Sequence, residues 1–218
     1  MKTFSFIDVS RNFYSERQLC LIRNTCIGIA GAGGLGSNCA QILIRCGFEK
    51  LRIVDFDKVS LSNLNRQLYH PSHLGKIKVK CLAEILRQIN PHLQIETFPV
   101  RVNSTNIHQI FDCCDVIVEA FDNPVCKAML IEEYWETDKL LVAVSGIGGF
   151  GHTDRIVTRK IRQNIFVIGD SSSEVNDHVK PYAPSVMIAA AKQADVILNW
   201  VLEGKHEIEG GKNPKSEI

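Results

Sequence analysis

The chain has 218 residues, 45% of them apolar and 22% charged, with a formal net charge of +1. That length supports one sizeable core, and the composition is ordinary for a soluble globular protein. A nearly neutral chain offers no electrostatic case for nucleic acid or an acidic membrane as a partner, so partners must be argued from sites.

Residues 11–24 read as a polar-faced N-terminal helix. Cys26-Ile27-Gly28-Ile29-Ala30 reads as a short, fully buried strand. A glycine-rich loop follows, then a helix from Ser37 to Cys46 stopped by Gly47. Leu51 to Asp55 is a second strand. Ile77 to Ile89 is helical and ends at Asn90-Pro91, Leu93 to Val100 is extended, and Thr105 to Phe111 is a short helix. Val116 to Ala120 is a buried strand, Pro124 to Trp135 a helix with proline in its first turn, and Leu140 to Val144 another buried strand. Ile156 to Ile168 reads as two extended segments turning near Gln163-Asn164. Ala183 to Leu202 is a long helix. It carries Lys192, Gln193 and Asp195 and is expected to be buried and amphipathic, not membrane-spanning. Asp8 and Arg11 interrupt the N-terminal apolar residues too early for a signal-peptide core, so a cytoplasmic location is expected.

Strands alternating with helices predict an α/β fold: a Rossmann-like, doubly wound, mostly parallel sheet flanked by helices, with a short antiparallel C-terminal extension. One domain is expected over 1–204, with the N-terminal helix at 11–24 packing at a dimer interface and 205–218 a mobile polar tail. None of the eight cysteines pair at Cys-x-x-Cys spacing, so no zinc is expected and most read as buried thiols.

The chemistry centres on Gly31-Ala32-Gly33-Gly34-Leu35-Gly36, between a strand and a helix. Gly31, Gly33 and Gly36 form the Gly-x-Gly-x-x-Gly spacing, with Gly34 as a further glycine. Such glycines allow a tight turn and close approach to phosphate, and the helix N-terminus offers unpaired N–H groups to an anion. Asp55 ends the next strand, about 20 residues on, where a carboxylate can accept from ribose hydroxyls. Asp57 adds a second carboxylate on the same side of the segment. Asn63 and Arg66 follow, then Lys76, Lys78 and Lys80, more cations than hydride transfer needs; Arg66 and Lys78 suit a site that neutralises charge as phosphates part. Lys76 and Lys80 read as solvated surface. No Gly-x-x-x-x-Gly-Lys-Ser/Thr is present, which removes the P-loop route to ATP. Asp122 closes the strand at Val116–Ala120 and is expected in the same crevice, as a magnesium ligand or as the cap of the following helix.

Gly-x-Gly-Gly-Leu-Gly, Asp55-x-Asp57, Asn63-Leu64-x-Arg66-Gln67, Lys78 and Asp122-Asn123, in this order between about Arg17 and Gly146, resemble the ThiF/MoeB/ubiquitin-activating superfamily. The stretches Val118–Asn123 and Met187–Ala191 look like its shorter ThiF branch. The resemblance implies ATP- and magnesium-dependent adenylation of the C-terminal glycine of a small ubiquitin-like sulfur carrier ending in Gly-Gly, such as ThiS, in thiamine biosynthesis. It implies Asp55 on ribose, Asn63, Arg66 and Lys78 on phosphates, and Asp122 at magnesium or the reacting centre. Arg17 would reach the partner subunit's site in a homodimer. The last cysteine is Cys126, so no later thiol serves a covalent intermediate. The rivals are a related enzyme activating a tRNA-borne carboxylate, as in threonylcarbamoyladenosine dehydratase, a nicotinamide-dependent oxidoreductase, and a non-catalytic nucleotide-binding scaffold.

Overall fold

A computed structural model describes residues 6–173 and 178–204. Seven strands form one sheet: β1 (Cys26–Ala30), β2 (Lys50–Val54), β3 (Gln94–Phe98), β4 (Val116–Glu119), β5 (Leu140–Val144), β6 (Val157–Arg162) and β7 (Ile165–Gly169), in the order β3-β2-β1-β4-β5-β7-β6. Every neighbouring pair is parallel except β6 and β7, which form the antiparallel extension expected at the C-terminal side. The central strands are near-continuous apolar runs because helices cover both faces. On β4, Val116 and Val118 join the core under one helical layer, while Ile117 joins Phe111, Leu130 and Tyr134 on the other face.

The helices are α1 (Phe6–Ser10), α2 (Glu16–Asn24), α3 (Gly34–Arg45), α4 (Lys78–Ile89), α5 (Ile107–Phe111), α6 (Pro124–Tyr134) and α7 (Ala183–Asn199). Two of them correct the expectation. The helix expected over 11–24 begins only at Glu16, because Ser15 caps it: the Gln18 amide donates to Ser15 Oγ at 3.3 Å and the Ser15 amide donates to Gln18 Oε1 at 2.9 Å. α3 begins at Gly34 instead of Ser37, so half of the glycine loop is already the helix's first turn. Glycine's poor helix propensity hides this start, which is fixed instead by close packing around the loop.

α7 with its terminal turn, Ala183–Gly204, is the one described helix long and apolar enough to cross a membrane. It packs along α3, and its buried Gln193 donates to the carbonyls of Glu119 and Val142, both at 3.2 Å. The tail expected at 205–218 lies outside the described residues.

After β1 the chain winds outward through β2 and β3. It then returns to lay β4 on the other side of β1. The crevice at this switch point, beyond the strands' carboxyl ends, is where open parallel sheets bind ligands. The glycine loop and the segment after β4 both end there.

Candidate active site

Gly31 leaves β1 at φ +109°, and a Cβ there would lie 2.7 Å from the Ala120 carbonyl oxygen on the neighbouring strand end. A Cβ on Gly36 would land on the Gly31 carbonyl oxygen. These two glycines therefore close the turn against the sheet. Gly33 differs. It is the residue before α3, has extended backbone, and a Cβ there would meet only the Gln67 side-chain amide, at 3.8 Å. The space above Gly33 is open, and the first-turn amides of α3 have no preceding helical carbonyl to pair with. Beside it, Gln67 Oε1 is buried and has no hydrogen-bond partner. An anion cradle with one polar atom still to be satisfied fits a bound nucleotide.

Two unforeseen contacts set this loop. The Asp55 carboxylate accepts from the Ala32 amide and from the Asp57 amide, both at 2.8 Å. Tyr69, buried, donates its hydroxyl to the Ala32 carbonyl at 2.7 Å. Burial raises the Asp55 carboxyl above the usual carboxylate range, although Lys78 and the two amides pull the other way. Burial also pushes the Tyr69 phenol upward, so it stays a donor. Asp55 was expected only as a ribose acceptor. It also ties the loop to β2, and its oxygens keep lone pairs for a ribose.

Lys78 is the first residue of α4, almost fully buried, with Nζ 2.8 Å from Asp57 Oδ2. Arg66 lies against Gly34, its Cγ 3.6 Å from where a Cβ on that glycine would sit. Its Nη1 donates to the Ser62 carbonyl at 2.9 Å and to Asn65 Oδ1 at 2.8 Å. Asn63 holds the short turn Leu61–Asn63, its Oδ1 accepting from the Ser60 amide at 2.9 Å. The fold thus places Gly33, Gly34, Asp55, Asp57, Arg66 and Lys78 around one loop, with Asn63 shaping the turn that delivers Arg66.

Asp122 follows β4 two residues after Ala120, which bonds to Ala30 and abuts Gly31. It does not cap α6. Asn123 does, its Oδ1 accepting from the Val125 amide at 2.9 Å and the Cys126 amide at 3.2 Å. Of the two roles expected for Asp122, the capping role belongs to its neighbour, and the exposed carboxylate suits an oxygen-loving cation. Behind it, fully buried Glu119 pairs with Lys127 Nζ at 2.7 Å and accepts from the Phe121 amide at 2.8 Å. Arg17 stands apart, on the exposed side of α2, in an open groove with Ser15, Gln18, Leu202 and Glu203.

The ThiF family model matches residues 8–213. The chain belongs to the ThiF family. Among curated relatives, the adenylyltransferase and sulfurtransferase UBA4 of Candida glabrata is 35% identical over 124 residues, 56% of this chain and 29% of that protein. The UBA4 of Eremothecium gossypii is 37% identical over 131 residues, 60% of this chain and 30% of that protein. The chain thus aligns with under a third of these relatives' length. Among solved structures, the E. coli tRNA N6-threonylcarbamoyladenosine dehydratase TcdA in complex with ATP superposes at a TM-score of 0.83. It is 22% identical, covering 93% of this chain and 96% of that one. E. coli MccB with ATP superposes at 0.65 with 18% identity, over 85% of this chain and 59% of that one. These likenesses establish a shared fold with the ThiF-family chain.

The glycines give a separable prediction. Gly36→Ala is expected to lose about 1–3 kcal/mol or more of stability through overpacking against backbone. Gly33→Ala is expected to lose less than about 1 kcal/mol of stability, yet weaken ATP binding by about 1.5–3 kcal/mol, the worth of one hydrogen bond to a charged group. Urea unfolding and calorimetric ATP titration distinguish the two. Equal loss of stability in both variants would contradict the assignment.

Proposed function

We propose that this ThiF-family chain is an ATP-dependent adenylyltransferase that activates the C-terminal glycine carboxylate of a small ubiquitin-like sulfur carrier. The carrying observation is the pairing, across the β1/β4 crevice, of an open glycine cradle with Asp122, a carboxylate freed from helix capping. A carboxylate oxygen of the carrier attacks the α-phosphorus of ATP. The bond to the α,β-bridging oxygen breaks, and pyrophosphate leaves with the electron pair. Protein contributes position and charge. Arg66 and Lys78 exchange their present partners, Ser62 and Asp57, for phosphate oxygens as negative charge builds. Asp122 would hold magnesium, whose charge would offset that of the triphosphate. The loop, Arg66, Lys78 and Asp122 supply that alignment and charge, and no thiol is required.

On the family resemblance, Arg17 on the exposed side of α2 is assigned to the site of a second copy in a homodimer. A ThiS carrier and the thiamine pathway rest on the resemblance of 118–123 and 187–191. The UBA4 relatives, named adenylyltransferase and sulfurtransferase, support adenylation linked to sulfur transfer. A tRNA-borne carboxylate is the second reading, favoured by the full-length fold match to TcdA. The net charge of +1 weighs against a polyanion. The cytoplasm is the compartment we assign.

ATP–pyrophosphate exchange decides, run with ThiS-type carriers, other Gly-Gly carriers and threonylcarbamoyl-tRNA in parallel. Exchange that requires a Gly-Gly carrier is the expected result. Stimulation by tRNA alone transfers the assignment to the second reading. Tight NAD binding with no exchange under any condition overturns adenylation altogether.

A further inference from the structure

The other end of the sheet carries a different cluster. Cys26 is the first residue of β1, and Cys113 and Cys114 form the turn between α5 and β4. Their positions are 87 and 88 apart in sequence from Cys26, which is why spacing alone conceals them. Their three Sγ atoms all lie within 4.8 Å of one another, and Cys26 and Cys114 are 3.9 Å apart. Backbone bonds fix the turn. The Asp115 amide donates to the Cys26 carbonyl at 2.9 Å, the Cys26 amide donates to Asp115 Oδ2 at 2.8 Å, and Lys139 Nζ donates to the Cys114 carbonyl at 2.7 Å. Cys114 is buried, Cys26 half-buried and Cys113 exposed, so the cluster is formed inside and open on one side.

A second observation bears on charge. Arg52 on β2 reaches across to donate Nη1 to Cys113 Sγ and Nη2 to the Gln109 carbonyl, its Nη2 also pairs with Glu96 Oε2 at 3.1 Å, and its buried Nε has no partner. A guanidinium is held against the sulfur with part of its hydrogen-bonding capacity unused.

We propose that Cys26, Cys113 and Cys114 form a zinc(II) site, completed by a water on the exposed side at Cys113. Sulfur donors exclude magnesium and calcium, which take oxygen. Zinc–sulfur bonds of about 2.3 Å place tetrahedral sulfurs about 3.8 Å apart, so the Cys26–Cys114 separation already suits the ion and the third sulfur closes by under about 1 Å. The charge count favours zinc over copper(I). Three thiolates leave one negative charge with a divalent ion and two with a monovalent one, and Arg52, itself paired with Glu96 at 3.1 Å, offsets only part of either, so the smaller residual charge of zinc(II) suits the site better. On binding, the three thiols lose their protons to solvent as the three zinc–sulfur bonds form. The site would staple the start of β1 to the turn before β4, at the end of the sheet opposite the nucleotide loop. It revises the expectation of no zinc, which rested on the absence of Cys-x-x-Cys pairs.

The test uses the full chain, reduced and stripped with a chelator. Zinc is titrated against a chromophoric competitor, and cobalt(II) serves as the spectroscopic probe. One zinc per chain is expected, with a thiolate-to-cobalt charge-transfer band, tetrahedral visible absorption and protection of Cys113 from alkylation. Cys113→Ser and Cys26→Ser should each abolish the charge-transfer spectrum's full intensity and weaken zinc binding. Arg52→Gln should weaken it by about 10–100-fold, as for other groups supporting a metal ligand. Cys20→Ser, an exposed thiol on α2, should change nothing. Because Cys114 is buried and its substitution can unfold the chain, the exposed Cys113 is the deciding position. Zinc bound equally by wild type and Cys113→Ser, no stoichiometric zinc, or stoichiometric copper(I) without zinc would each overturn the proposal.

Discussion

Asp122→Ala is expected to lower carrier-dependent ATP–pyrophosphate exchange by about 10²–10³-fold, the cost of removing one group that stabilises transition-state charge. It should leave the urea midpoint nearly unchanged, because the side chain is exposed and Asn123 supplies the cap of α6. Asn123→Ala is the converse. It loses two charge-free bonds to the Val125 and Cys126 amides and should cost about 1 kcal/mol of stability, with a smaller effect on exchange. The two residues are adjacent, so a crossed outcome cannot be ascribed to general damage at the end of β4. Asp122→Asn separates charge from shape. It keeps an oxygen in place but no longer offers an ionised ligand to magnesium, and should show a raised magnesium requirement. Full exchange by Asp122→Ala would remove this carboxylate from the mechanism and leave the crevice with binding alone.

Much of the fold was legible because it rests on local pattern. Continuous apolar runs such as Leu140–Val144 mark strands buried on both faces, and all of that run is buried. The glycine spacing, placed between strand and helix, marked the crevice. What pattern could not supply was the choice between neighbours and the meeting of distant residues. Asp122 and Asn123 are both cap-forming types, and only backbone geometry decides that Asn123 caps. The start of α3 was misplaced because packing of Gly31 and Gly36 against backbone carbonyls overrides propensity. Tyr69 reaches Ala32 over 37 positions, and the three clustered cysteines meet over 87 and 88, with no periodicity to announce either. One missed feature did carry a sign. Glu119 lies within an otherwise apolar strand, and such a carboxylate needs a buried partner. Lys127, in the helix that follows, was the available cation.

Lys127→Met is expected to be among the most destabilising single changes in the chain. Glu119 is 1% exposed at its side chain and Lys127 27%, so methionine keeps the stem's packing but leaves the carboxylate without its counter-charge. Breaking a buried pair from one side costs about 3–5 kcal/mol, far more than the pair's net worth, because an uncompensated charge stays behind. The donors that remain to it are the backbone amides of Phe121 and Val144. The pH dependence has a definite sign. Burial raises the Glu119 carboxyl above its ordinary value even with Lys127 beside it, and removal of the lysine raises it further. A carboxyl whose folded value exceeds its unfolded one holds more protons in the native state, so stability falls as pH rises from the unfolded value through the folded one. The Lys127→Met deficit should therefore be largest at neutral pH and shrink as the solution is acidified toward the ordinary carboxylate range. The double variant Glu119→Gln/Lys127→Met, which removes both charges, should recover much of the loss and flatten the pH dependence. Because Glu119 braces the Phe121 amide one residue before Asp122, and Gln193 on α7 holds its carbonyl, the same cycle measures how far this ion pair fixes the Asp122 carboxylate. If it does, exchange in the double variant should lag behind its regained stability. Recovery of both together would make the pair a purely structural brace.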